Sequence, residues 1–178
     1  MLTVLIETRN DEDALARTLM SLVSGAVEGI VREVMVHDRG STDHTAAVAD
    51  HAGCALIPNG ELASGMRRAK GDWLLFIEPG AKLSDGWIDA VVAHVARRTT
   101  PGRFLRSRSA EPRFLSRWFT RKRPLAEGLL VSKPQALAKL RPGEEVEAFA
   151  RRISGQRIPA EIIPAEARQN RRRIADTR

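Results

Sequence analysis

Residues 74–81 read Leu-Leu-Phe-Ile-Glu-Pro-Gly-Ala, an apolar run that ends abruptly in an acid, a proline and a glycine. A carboxylate delivered to a strand tip, here Glu78, is placed to meet a ligand or a hard cation. Pro79-Gly80 alone reads as a type II turn, proline presetting φ and glycine supplying φ > 0. Other polar side chains also follow apolar runs: Thr8, Arg9 and Asn10 come after Leu2–Ile6, and Asp38 after Glu33–His37. The histidines add no metal chemistry. His37 stands between Val36 and Asp38, while His44 and His51 lack His-x3-His spacing, so no zinc centre is expected.

The elements that must carry these groups follow from hydrophobic periodicity. Leu2–Ile6 is a β-branched-rich strand; Asn10 is the expected N-cap of a helix whose first turn holds Asp11, Glu12 and Asp13 and in which Leu15, Leu19, Leu22 and Val23 recur. The unit repeats. Glu33–His37 is a strand, Asp38–Thr42 a loop, and Thr42 or Asp43 caps a helix that runs to Gly53. Ala55–Ile57 is a third strand closed by the turn signal Pro58-Asn-Gly60, a helix through Met66 stops at Gly71, and Trp73–Ile77 is a fourth strand. Ser84 and Asp85 open a further helix with Ile88, Val91, Val92 and Val95 on one face.

This cadence implies an α/β fold, a mostly parallel sheet with helices on both faces. Ligands in such sheets bind in the crevice beyond the carboxyl ends of the strands, and the polar groups converge on that edge. Beyond Ala96 the pattern weakens. Arg103–Arg108 reads as an exposed strand, Glu111–Arg123 as a short basic amphipathic helix, Gly128–Val131 as a strand, Glu144–Ile153 as a helix and Arg157–Ile163 as a last strand. The segment 166–178 has no apolar face and is expected to fray.

A chain of 178 residues with 43% hydrophobic content suits one domain with a substantial core. The expected division is a single domain over 1–165 and a basic tail over 166–178. A net charge of +7 and a pI near 10.6 point to anionic partners. Aromatic residues amount to only 4%, which argues against stacking platforms for nucleic acid. The single cysteine, Cys54, suits a reducing compartment. Leu2–Ile6 is too short for a secretory apolar core, and no run approaches the roughly 18 apolar residues of a spanning helix. The expected location is the cytoplasm, extending to the inner membrane face.

Three stretches in order, Val4–Glu12, Glu33–Asp43 and Ala69–Ile77, resemble the nucleotide-binding half of family 2 glycosyltransferases. The resemblance implies a GT-A-like (Rossmann-like) fold, with a nucleotide-binding half over 2–96 and a shortened acceptor-side half over 97–165. It implies transfer of a glycosyl group from a nucleotide diphosphate sugar to an acceptor hydroxyl in surface polysaccharide or glycolipid synthesis, or else a catalytically inactive homologue that binds and regulates.

Residue by residue, Thr8, Arg9 and Asn10 lie in the loop that borders the nucleotide, with Glu7 in place of a usual proline. Asp38 matches a base-contacting carboxylate, which as a pure acceptor suits an imino N–H, and Arg39 replaces a second aspartate. Ser41 and Asp43 serve either the ligand or the turn alone. Ala63 stands where a donor-holding asparagine is usual. Glu78 keeps the first acid of an Asp-x-Asp pair, but Gly80 takes the metal-ligand place. A divalent cation, Mg²⁺ or Mn²⁺, held by Glu78 alone would be weakly held, so the turn reading of Pro79-Gly80 leads. Glu145 matches the base for the acceptor hydroxyl, or is simply an acid in a first helical turn. Glu127 matches an acid of the acceptor-side loop. Phe114–Arg123 either lies on an anionic bilayer, near a lipid-linked acceptor, or packs its aromatics inward, the reading favoured here.

Overall fold

The structure, a computed structural model, describes residues 1–57, 62–97, 100–107 and 123–165. Its first half alternates as the periodicity requires: β1 (Leu2–Thr8), α1 (Glu12–Val27), β2 (Val31–Asp38), α2 (Thr45–His51), β3 (Ala55–Ile57), α3 (Leu62–Arg68) and β4 (Trp73–Ile77). The second half contributes β5 (Lys82–Leu83), α4 (Trp87–Arg97), β6 (Gly102–Arg106), β7 (Leu129–Ser132), α5 (Lys133–Lys139), α6 (Val146–Arg152) and β8 (Gln156–Ile163). Among the described residues one sheet runs in the order β3-β2-β1-β4-β7-β6-β8-β5. Strands β3, β2, β1 and β4 are mutually parallel, β7 is antiparallel to both its neighbours, and β6 and β8 are again parallel.

Alternation along each strand divides the core into two layers. Val4, Ile6, Val36, Leu75 and Ile77 pack with Leu15 and Leu22 of α1, Ala49 of α2 and Trp87 and Val91 of α4. Leu5, Met35, Leu74 and Phe76 pack on the other face with Leu62 and Met66 of α3 and Phe149 and Ala150 of α6. Helices therefore cover both faces. Gly71 lets the turn before β4 run against β1: a Cβ there would sit 2.4 Å from the Thr3 nitrogen.

Several local expectations are corrected. Asn10 is not the cap of α1; Asp11 occupies that position, and Asn10 takes a left-handed φ of 54°. Helix α2 begins at Thr45, and the Asp43 Oδ1 accepts from the Thr45 N–H at 3.0 Å and from its hydroxyl at 2.5 Å. Val23 and Val92 face solvent, because the buried stripes run through Leu15, Thr18 and Leu22 in α1 and through Trp87, Ile88, Val91 and His94 in α4.

The segment expected as an exposed strand is β6, inside the sheet between β7 and β8, with Gly102 and Phe104 buried. Its arginines misled the pattern. Arg103 turns inward and donates to four backbone carbonyls: Pro124, Gly128 at 2.9 Å, Ala150 at 2.5 Å and Ile153 at 2.9 Å. Burial lowers its pKa from the ordinary arginine value, and the charge sits at the carbonyl end of α6, where a helix favours a cation. Strand β5 and helix α5 were not anticipated. The expected turn at 58–60, most of the basic helix 111–123 and the tail 166–178 lie outside the described residues. No helix among the described residues is long and apolar enough to cross a membrane.

Candidate functional site

Register brings the strand ends together. Thr8 pairs with Asp38 and Ile6 with Ile77, so β1, β2 and β4 finish on one edge, with Asp38 and Glu78 on either side of β1. Adjacent strands lie about 4.8 Å apart, which puts the two acids' backbones on the order of 10 Å from each other.

On the α1/α2 side of this edge, the loops after β1 and β2 are tied to each other. Asp38 takes the Ser41 N–H at 3.1 Å and the Ser41 hydroxyl at 2.5 Å. The Asn10 N–H donates to the Ser41 Oγ at 3.0 Å, and the Asn10 Oδ1 accepts from the Thr42 N–H at 2.7 Å. Arg39 donates its backbone N–H to the Thr8 carbonyl at 3.0 Å, and the Arg9 N–H donates to Asp11 at 3.1 Å. Burial pushes the Asp43 carboxyl up, but its hydrogen bonds from Thr45 outweigh that and leave it below the usual range. Thr8 is buried, and its hydroxyl has no hydrogen-bond partner among the described residues.

The opposite side holds a second set of groups. Arg39 pairs with Glu145 at 2.7 Å and lies 3.7 Å from Glu7, whose other oxygen meets the His37 Nδ1 at 3.0 Å. The hydrogen bond to Glu145 holds the Arg39 guanidinium above its ordinary pKa. This row borders a cavity of about 160 Å³ walled also by Leu62, Ala63, Leu140, Arg141 and Gly143. The His37 Nε2 is buried without a hydrogen-bond partner among the described residues. Glu144, next in the wall, is held by Arg152 at 2.5 Å; that bond keeps its carboxyl below the usual range.

At the β4 tip the turn forms as its sequence suggests. The Ala81 N–H closes on the Glu78 carbonyl at 3.1 Å, and Gly80 has φ 95°, the left-handed value that position i+2 of a type II turn needs. The Gly80 N–H donates to the buried Thr18 hydroxyl at 2.8 Å, which itself donates to the Ala81 carbonyl at 2.9 Å. The Glu78 carboxylate accepts the Ala165 N–H at 2.9 Å and faces Arg123 at 3.5 Å. Among the described residues no divalent-cation site forms here: Glu78 is engaged, Gly80 has no ligand atom in its side chain, and no group of three His, Cys, Asp or Glu side chains is placed to hold one.

Of the residues singled out from sequence, Arg39 and Glu145 meet directly and border the cavity. Thr8, Asn10 and Asp38 belong to the neighbouring loop pair, and the exposed Arg9 lies beside them. Glu127 is exposed, and its carbonyl accepts the Phe104 N–H at 2.9 Å. Glu7, His37 and Arg123 were missed as participants. The alternation of β1 and β2 could have found the first two, since residues 7, 37 and 39 share a face with Leu5 and Met35. Nothing local could have paired Arg123 with Glu78.

The sequence profile of Glycosyl transferase family 2 matches residues 3–135. Glucosyl-3-phosphoglycerate synthase from Mycobacterium tuberculosis, solved with Mn²⁺, uridine diphosphate and glucosyl-3-phosphoglycerate, superimposes with a TM-score of 0.61 at 17% identity, covering 96% of this chain and 74% of that one. The same enzyme with Mn²⁺ and UDP-glucose gives 0.63 at 17% identity, covering 94% and 71%. Mannosyl-3-phosphoglycerate synthase from Rubrobacter xylanophilus gives 0.63 at 15% identity, covering 97% and 70%. At such identities the likeness is one of fold. No curated protein sequence matches the chain.

Proposed function

The chain belongs to glycosyl transferase family 2, and from that premise we propose that it binds a nucleoside diphosphate sugar at the shared carboxyl edge of β1, β2 and β4. The observation that carries this reading is the cavity at that edge, walled by Glu7, His37, Arg39 and Glu145. Thr8, Arg9, Asn10, Asp38 and Glu78 frame the donor from the adjoining strand ends. The domain is a single unit over 1–165, working at the cytoplasmic face of the membrane on a lipid-linked or saccharide acceptor.

Transfer at this edge proceeds by attack of an acceptor hydroxyl on the anomeric carbon. The bond from that carbon to the diphosphate oxygen breaks, the nucleoside diphosphate leaves with the electron pair, and the hydroxyl proton passes to a base. Glu145 is the candidate base. Its carboxylate is exposed on the cavity wall and lies 2.7 Å from the Arg39 guanidinium, which orients it there. Glu127 lies on the acceptor side.

A second reading, a binding or regulatory module without turnover, is favoured by Gly80 in the metal-ligand place and by the occupied carboxylate of Glu78. Titration calorimetry with a panel of nucleotide sugars, with and without Mn²⁺, tests the shared premise; heat of binding from none of them ends it. Release of nucleoside diphosphate on adding saccharide or lipid-linked acceptors then separates the two readings. The transferase reading expects release that Glu145→Gln abolishes while donor binding persists.

A further inference from the structure

A nucleoside diphosphate brings several negative charges to whatever holds it, and a site for it needs a fixed positive charge close by. Among the described residues the β4 tip does not offer the ligands of a divalent cation, yet it carries a cation of its own. Arg123 lies 3.5 Å from Glu78 at the end of β4, and its other terminal nitrogen donates to the Ala165 carbonyl at 2.6 Å. The Ala165 N–H returns to Glu78 at 2.9 Å, so the three groups close a ring at the carboxyl edge of the sheet. We propose that Arg123 supplies, in place of a metal ion, the positive charge that receives the diphosphate, so that nucleotide binding to this chain is independent of divalent cations.

The geometry supports a working cation rather than a buried brace. The Arg123 side chain keeps 31% of its surface exposed, against 13% for Glu78, so the arginine is the more open member of the pair. A guanidinium has more N–H donors than these two contacts use, and its planar fork matches phosphate oxygens. The backbone that carries it is pinned. Arg103 donates to the carbonyls of Pro124 and Gly128, at the two ends of the turn that follows Arg123. A pinned arginine reaches a phosphate with little loss of side-chain entropy. Glu78, in this arrangement, orients Arg123 and partly neutralises it.

This inference rests on the donor site proposed above, and the two fail differently. Calorimetry on the full chain uses UDP, GDP and CDP and their monophosphates, in EDTA and in Mn²⁺. The wild-type chain is expected to bind a diphosphate equally, within about twofold, in both buffers, and Arg123→Gln to weaken that diphosphate by about tenfold while changing the monophosphate far less. Glu78→Gln serves as the second variant, because it frees the charge of Arg123: it is expected to tighten diphosphate binding by about threefold, whereas a metal-holding Glu78 would lose it. Binding that strengthens more than about tenfold with Mn²⁺, or a Glu78→Gln chain that no longer binds, overturns the inference and leaves the donor site standing. Heat from no nucleotide in either buffer overturns both.

Discussion

The two halves of this molecule are held by different means. In the first, β3, β2, β1 and β4 are parallel neighbours linked in the chain by α1, α2 and α3, with β1 paired to both β2 and β4. In the second, β7 runs antiparallel to β4, β6 lies inside the sheet, and the last two strands of the order, β8 and β5, are far apart in the chain. Arg103 binds this half together by reaching four carbonyls from two separate segments. Apolar alternation is enough to assemble a parallel βα unit, but a mixed sheet of short strands relies on polar clamps placed by the tertiary structure.

The largest expected effect tests that contrast at its centre. Arg103→Met removes all four donations, and the Pro124, Gly128 and Ile153 carbonyls lose this donor, so urea unfolding should show a loss of about 3 kcal/mol. A loss below about 1 kcal/mol would mean that packing alone holds the second half. In the first half the sensitive point is steric instead: Gly71→Ala sets a Cβ against the β1 backbone and should cost about 2 kcal/mol, with the damage read by hydrogen exchange at the β1/β4 pairing. Thr18 joins the two halves through the turn at Gly80 and Ala81, and Thr18→Val, which leaves the Gly80 N–H without its acceptor, should cost about 1.5 kcal/mol.

Smaller effects are expected where the site is open to water. Glu145 is more than half exposed, so Glu145→Gln should change stability by no more than about 0.5 kcal/mol, while any transfer activity is lost. The weakest signal belongs to Cys54, whose thiol burial pushes up to about 11. The unfolded thiol ionises near about 8.5. The stability tied to the neutral thiol is therefore complete below that pH and is lost as pH rises toward 11, and alkylation of the folded chain should stay slow over the same interval. Rapid labelling at pH 9 would show that the α2/β3 corner opens freely.

Much of the first half was legible because hydrophobic period and turn chemistry are local. Val4, Ile6, Val36 and Ile77 announce buried strands, and Pro79-Gly80 announces the turn that follows. The failures have local causes too. Asn10 is of a type that suits an N-cap, but it spends its side chain on the Thr42 N–H of the neighbouring loop. An arginine in a strand pattern such as Arg103 points to solvent by type, and only the carbonyls gathered from Pro124, Gly128, Ala150 and Ile153 make its burial favourable.

Sequence alone determined the α/β alternation, the parallel core and the edge to which Thr8, Asp38 and Glu78 are delivered, since backbone sterics and apolar burial act over a few residues at a time. The tertiary structure decided what those carboxylates do there. Asp38 turns onto Ser41, Glu145 crosses to Arg39, and Glu78 takes an N–H from 87 residues downstream. An ion pair or hydrogen bond depends on fractions of an ångström between side chains, and that separation is fixed only when distant segments have packed.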